Sequence, residues 1–181
     1  MNARRFLTPL NIALVLALVA ATLAGFVLVP MGTTLPVHWG ISGEADGFLP
    51  REWALLMLPV LAVLVVGLLI GAQQLAGPER AEASRHAVAA IVPTLLGLFL
   101  VIEMVLVMIG TGVTVEMPRV VVACVGTIFV VMGNVLPKTQ QNLVAGVRLP
   151  WTLSDPANWQ ATNRLAGLLL LAGGAAMILA A

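Results

Sequence analysis

Long apolar runs alternate with short polar connections along this chain. A helix that crosses a bilayer takes about 20 mostly apolar residues, and five runs reach or approach that length. They cover residues 10–29, 54–75, 88–109, 120–136 and 165–181. The pattern predicts an all-α, polytopic bundle of transmembrane helices that forms one membrane domain over residues 1–181.

Composition supports a membrane class. Hydrophobic residues make up 60% of the 181 residues and charged residues 9%, whereas soluble domains carry roughly 25% charged residues. Membrane lipids are therefore the expected surroundings. A net charge of +1 gives no general attraction to nucleic acid, so no direct nucleic-acid binding is expected. The single cysteine, Cys124, excludes an intramolecular disulfide and is interpreted as a small core residue.

The placement of Lys and Arg predicts the orientation, because cytoplasmic loops carry an excess of both. With the N-terminus in the cytoplasm, Arg51 and Arg119 fall outside. The cations that then fall inside are Arg4, Arg5, Arg80, Arg85, Lys138, Arg148 and Arg164. The first run also resembles a signal peptide with "TLAG" as a cleavage site, but it continues to Val29, which favours an uncleaved anchor.

The predicted external loop, residues 30–53, is too rich in Gly and Pro for a long helix. Trp39 and Trp53 suit the headgroup region, where an indole keeps its N–H wet. His38, Glu44 and Asp46 are candidate metal or proton ligands, but their spacing matches no known metal motif. A loop histidine with turn-forming carboxylates is the favoured interpretation, and neither a metal nor a cofactor is expected.

Glu103 is the only charged residue well inside a predicted span. It lies past the midpoint, toward the external face, where His38, Arg51 or Arg119 are the candidate partners. Intramembrane carboxylates usually face the bundle interior and often mark ion or proton sites. The alternative is a carboxylic acid held neutral by apolar surroundings and hydrogen-bonded to a neighbouring helix.

The predicted cytoplasmic segment, residues 137–164, concentrates polar and aromatic residues between two apolar runs. Just before it, Gly133 and Asn134 suit close helix packing with a hydrogen bond. Ser154 is the expected N-cap of a short interfacial helix that leads into the last span. That helix carries Trp159, Thr162 and Asn163 on one face.

The exposed chemistry of this segment has two interpretations. Arg148 beside Trp151 could stack on the indole or bind a lipid phosphate. The simpler alternative is that Trp and Arg anchor the segment at headgroup depth, with Pro and Gly supplying turns.

The same segment closely resembles the SdpI family of membrane proteins. The resemblance rests on "GN-x-LPK", "G-x-R-x-PWTL" and "W-x-x-T-x-R-x-x-G", in that order over about 35 residues. The matching positions are Asn134, Pro137, Lys138, Asn142, Gly146, Arg148, Pro150, Trp151, Thr152, Trp159, Thr162 and Arg164. The external "LPVHWGISGEADGF" resembles a domain of unknown function that accompanies many members, with His38, Trp39 and Asp46 at its motif positions.

The resemblance implies a multi-pass protein of the bacterial cytoplasmic membrane. The best-known member protects a bacterium against its own secreted antimicrobial peptide, a toxin that collapses the proton-motive force. It also binds a cytoplasmic repressor when the toxin is present. A peptide toxin and a cytoplasmic repressor are therefore the expected partners of an immunity or sensor protein. A small ion-coupled transporter that uses Glu103 is the alternative. An enzyme is not expected, because no paired carboxylates, nucleophile elbow or "HExxH" occurs.

Two departures from the family pattern affect this expectation. The family usually has "T-H-R" where this chain has Thr162-Asn163-Arg164. Its usual pattern also has a further C-terminal span beyond the five predicted here. Both departures weaken the expectation of toxin-linked signalling more than that of immunity.

Overall fold

The computed structural model of the chain describes residues 6–40, 42–75, 78–142 and 145–181, without the side chain of Arg80. Arg4, Arg5 and the Arg80 side chain, which contribute to the predicted orientation, lie outside the described residues.

Within these ranges, five helices are long and apolar enough to cross a membrane, which confirms the predicted helix bundle. They are α1 (Pro9–Leu28), α2 (Arg51–Leu75), α4 (Arg85–Gly110), α5 (Met117–Val135) and α7 (Pro156–Ala180). The short helices α3 (Pro78–Ala83) and α6 (Pro150–Ser154) lie in connections, and a 3-10 turn (Leu136–Lys138) follows α5. The chain is a multi-pass membrane protein.

The start of the last helix differs from its prediction by one residue. Asp155, not Ser154, is the N-cap of α7, and its carboxylate accepts a hydrogen bond from the amide of Ala157 at 2.8 Å. Ser154 ends α6 and donates to the carbonyl of Trp151. A short helix does precede the last span, but the face with Trp159 belongs to α7 itself. The chain from Pro156 onward contains no residue that interrupts the helix.

The predicted external loop contains a β-hairpin that the sequence pattern does not indicate. Strands β1 (Thr34–Trp39) and β2 (Ala45–Pro50) pair antiparallel, with Leu35 opposite Leu49. The register shifts on either side of His38, so the alternation of buried and exposed residues that identifies a strand is broken. Gly43, at a φ of +81°, lies in the connecting turn.

Helices α1, α2 and α4 form one packed group, and the hairpin covers one end of it. Leu35 of β1 is fully buried there with Val29, Ala54 and Leu55. We call this the hairpin end. The opposite end, where α1 and α4 begin and residues 136–142 and 145–164 lie, is the motif end. In the predicted orientation, the hairpin end is external and the motif end cytoplasmic.

Helices α5 and α7 pack against each other through glycines at matched levels. A Cβ on Gly126 would lie 2.8 Å from the carbonyl oxygen of Gly174, and one on Gly133 would lie 2.7 Å from that of Gly167. Small residues let helix backbones approach closely in membranes. The predicted close packing at Gly133 is therefore observed. Asn134, by contrast, is exposed and accepts its hydrogen bond from Lys138 at 2.9 Å.

Candidate functional site

Most of the motif residues at the motif end fall into a buried half or an exposed half. The buried half is a hydrogen-bonded cluster, which we call the Trp159 cluster. Its members join the loop after α5 to the first turns of α7, and they are Thr139, Asn142, Gly146, Thr152, Trp159 and Asn163.

Trp159 is the centre of the cluster. Its side chain is 1% exposed, and its indole N–H donates to the carbonyl of Thr139 at 3.1 Å. A buried indole needs such an acceptor, because an unpaired N–H would lose its hydrogen bond to water. The interaction ties α7 to the chain immediately after the 3-10 turn.

Gly146 lies directly against the indole. A Cβ at this position would be 2.6 Å from Cη2 of Trp159, and the backbone φ is +137°. Both observations require glycine, since any side chain would clash with the ring and strain the backbone. The glycine of "G-x-R-x-PWTL" is thus explained by the tryptophan of "W-x-x-T-x-R".

Asn163, at the position where the family usually has histidine, faces into the cluster. Its Oδ1 accepts from the amide of Val147 at 2.8 Å, and its Nδ2 donates to the carbonyl of Trp159 at 3.0 Å. The residue is 1% exposed. The amide therefore holds the loop after Gly146 against α7, and the position has a structural role in this chain.

Two further side chains shape the loop. Thr152 is fully buried; its hydroxyl accepts from the amide of Leu149 at 2.9 Å and lies 2.7 Å from the carbonyl of Val147. The side-chain oxygen of Asn142 accepts a hydrogen bond from the amide of Ala145 at 2.9 Å. Both side chains hold the nearby backbone by local hydrogen bonds, which explains why these residue types occur in the motif.

The exposed half of the motif faces away from this cluster. Its members are Asn134, Lys138, Arg148, Pro150, Trp151 and Arg164. Arg148 does not stack on Trp151 in the described structure, so that predicted interaction is not observed. Trp151 is 56% exposed, beside exposed Leu149 and Leu153. Such a combination of indole, leucine and arginine suits the headgroup layer.

Pro137 and Thr162 belong to neither half. Pro137 is half-buried, and its ring packs against Gly167. A Cβ on Gly167 would lie 2.6 Å from Cγ of Pro137. Thr162 is also half-buried, and its hydroxyl donates to Oδ1 of Asn158 at 3.0 Å. Both support the packing of α7.

At the hairpin end, His38 and Asp46 pair across the strands. Nδ1 of His38 lies 2.5 Å from Oδ1 of Asp46, and both side chains are mostly exposed. Glu44 contributes to the hairpin turn only through its backbone carbonyl, which accepts a hydrogen bond from the amide of Gly40. Among the described residues, no group of three His, Cys, Asp or Glu side chains could hold a metal ion. Trp39 is half-buried against the core of α1, α2 and α4.

Glu103 is fully buried within the group of α1, α2 and α4. Its Oε1 accepts a hydrogen bond from the hydroxyl of Thr22 at 2.9 Å, while Oε2 has no partner among the described residues. This hydrogen bond to a neighbouring helix is the contact that the second interpretation of Glu103 expects. Thr22 itself was missed, although a hydroxyl at a similar depth in the first apolar run could have indicated it.

The three residues proposed as partners of Glu103 are paired elsewhere, so that prediction is wrong. His38 binds Asp46, and Arg119 lies 2.6 Å from Glu116. Arg51 is buried rather than exposed in a loop. Its guanidinium donates to the carbonyl of Val29, contacts Glu52 at 2.8 Å and lies over the ring of Phe26. It thereby satisfies the carbonyl at the end of α1.

Comparisons with known proteins match two parts of the chain. Residues 138–181 match the SdpI/YfhL protein family, and residues 12–63 match a domain of unknown function, DUF1648. The first range holds all the members of the Trp159 cluster; Asn134 and Pro137 lie just before it. The second covers most of α1, the hairpin and the start of α2.

One curated relative also indicates similarity to the SdpI family. The chain is 30% identical over 80 residues to "Immunity protein SdpI" of Bacillus subtilis (strain 168). The match covers 44% of this chain and 39% of the relative's length. No solved structure matches. These matches confirm the resemblance to the SdpI family.

Proposed function

From this resemblance, we propose that the chain is a non-enzymatic immunity protein of the bacterial cytoplasmic membrane that protects the cell against a secreted antimicrobial peptide. The observation that carries the proposal is the match of residues 138–181 to the SdpI/YfhL family, together with the similarity to an immunity protein. The Trp159 cluster supports the proposal, because motif residues that are distant in sequence contact one another in this fold.

The hairpin end is the proposed contact surface for the peptide. In the predicted orientation it faces the outside, where a secreted peptide arrives. It exposes large apolar side chains, with Phe48 at 56%, Trp53 at 68% and Met31 at 87% exposed. An apolar surface next to the membrane suits a peptide that partitions into the bilayer.

The exposed half of the motif is the proposed cytoplasmic contact. Arg148 and Trp151 are both exposed; Arg148 lies just before α6 and Trp151 lies within it. They anchor this stretch at the headgroups and form the surface that a cytoplasmic repressor would bind. The transporter alternative is not proposed, because it rests on Glu103 alone.

Survival in spent medium tests the immunity proposal. A sensitive strain with and without the chain is exposed to spent medium of the strain from which the gene comes, untreated or treated with protease. We expect the chain to raise survival in untreated medium, and protease to remove the difference. Equal survival with and without the chain in untreated medium would contradict the proposal.

Matched variants locate the contact surface in the same assay. Phe48→Ser removes an exposed apolar side chain at the hairpin end, and Leu153→Ser removes one, 44% exposed, at the motif end. Phe48→Ser should reduce protection at unchanged membrane abundance, whereas Leu153→Ser should retain it. The reverse order would place the peptide contact at the motif end.

A further inference from the structure

A cavity at the motif end lies apart from the Trp159 cluster. It has a volume of about 300 Å³ and is enclosed by the start of α1, the end of α2, and α3 and α4. Phe6, Val88 and Val92 form its apolar wall, and Asn11, Gln73 and Arg85 supply polar groups. No acidic residue is among the described residues that line it.

Asn11 lines this cavity and has an unpaired acceptor. The residue is 6% exposed, and its Nδ2 donates to the carbonyl of Phe6 at 2.9 Å. Its Oδ1 is buried and has no partner among the described residues. An unpaired buried oxygen costs free energy, so an occupant that donates a hydrogen bond would be favoured. Gln73, which is 5% exposed, is held by its own bond to Ser84 at 2.7 Å.

Arg85 supplies positive charge at the cavity mouth. Its side chain is half exposed, and its Nε lies 3.2 Å from Oε1 of Glu82. One terminal nitrogen, Nη2, also lies 3.4 Å from Nε2 of His86. The guanidinium has five N–H donors, so donors remain for an anion while Nε pairs with the carboxylate of Glu82. A basic pocket between transmembrane helices on the cytoplasmic side is typical of sites for anionic lipid headgroups.

We propose that this cavity binds the headgroup of an anionic glycerophospholipid that carries a free hydroxyl, as phosphatidylglycerol does. The phosphate contacts the terminal nitrogens of Arg85, and the headgroup hydroxyl donates to Oδ1 of Asn11. One acyl chain follows the apolar wall of Phe6, Val88 and Val92. The site is independent of the proposed immunity function.

Native mass spectrometry of the full chain in detergent tests this proposal. The probes are phosphatidylglycerol, phosphatidylcholine of the same acyl chains, and glycerol 3-phosphate as the soluble source of the same headgroup chemistry. We expect phosphatidylglycerol to bind about tenfold more tightly than phosphatidylcholine, the size of the one hydrogen bond that the headgroup hydroxyl makes at Asn11 and that choline cannot make. Glycerol 3-phosphate should not displace it.

Asn11→Leu should remove most of this preference, because it removes the acceptor, and Arg85→Gln should weaken the binding of both lipids, because both carry the phosphate. Arg119→Gln is the matched control, because Arg119 is also exposed and also pairs with a glutamate three residues earlier, but lines no part of this cavity. Equal binding of the two lipids, or equal behaviour of Arg85→Gln and Arg119→Gln, would overturn the proposal. Displacement by glycerol 3-phosphate at similar concentration would also overturn it, in favour of a soluble ligand.

Discussion

At the scale of single residues, the motif is explained by contacts between residues distant in sequence. Gly146 is required because Trp159 covers it, and Trp159 is oriented by the carbonyl of Thr139. The sequence indicates that Trp159 and Asn163 share a helix face, since they are one turn apart. It does not indicate what that face contacts, because nothing local specifies Thr139 or Val147 as partners.

Gly146→Ala should destabilise the protein by roughly 1–3 kcal/mol, since the new Cβ meets the indole and the backbone φ is unfavourable. Gly173→Ala is the control, because nothing lies within 4 Å of a Cβ there. Thermal unfolding in detergent measures both. We expect a lower Tm for Gly146→Ala and an unchanged Tm for Gly173→Ala. Similar Tm values would refute the close contact with Trp159.

Glu103→Gln should preserve folding, because the amide oxygen still accepts the bond from Thr22 and the side chain keeps its size. Glu103→Lys should reduce the folded protein recovered from membranes, since an ammonium group would be buried among apolar residues. Glu116→Lys, at an exposed position of the hairpin end, is the control. Size-exclusion profiles after mild solubilisation compare them. A monodisperse peak of normal height for Glu103→Lys would contradict the buried position.

At the scale of elements, hydropathy predicts the helices because each is a long apolar run, and helix ends follow from Pro and capping residues. The hairpin is not predictable in the same way. Its strands are short, rich in Gly and Pro, and out of regular alternation around His38. The burial of Arg51 also depends on a tertiary contact, with the carbonyl at the end of α1.

Gly133→Val should separate α5 from α7, because the backbone of Gly167 lies within 2.7 Å of the added Cβ. Gly67→Val in α2 is the control, since its Cβ would meet nothing within 4 Å. We expect the Tm measured in detergent to fall for Gly133→Val and to stay unchanged for Gly67→Val. If both variants unfold at the same temperature, the α5–α7 contact is not as close as described.

At the scale of the whole molecule, both proposed contact surfaces depend on which end of the protein faces the cytoplasm. The Lys and Arg counts predict the motif end inside. Contacts within the protein do not bear on this, because the bilayer and the charge asymmetry across it determine orientation. The assignment of the peptide contact to the hairpin end and of the repressor contact to the motif end follows from that prediction.

Cysteine labelling tests the orientation directly. In a Cys124→Ala background, Ser42→Cys places a thiol in the turn of the hairpin, and Gln140→Cys places one in the exposed loop of the motif end. A membrane-impermeant maleimide should label Ser42→Cys in intact cells and Gln140→Cys only after permeabilisation. The opposite pattern would invert the topology and with it both proposed contact surfaces.

The most direct test of the immunity account is membrane potential. Cells without the chain, with it, and with Arg148→Ala or Glu103→Gln are challenged with the producer's spent medium while a potential-sensitive dye is followed. The account predicts that the chain prevents the depolarisation seen without it. It also predicts that Arg148→Ala, which alters the motif end and leaves the hairpin end unchanged, still protects. Equal depolarisation with and without the chain would contradict the account.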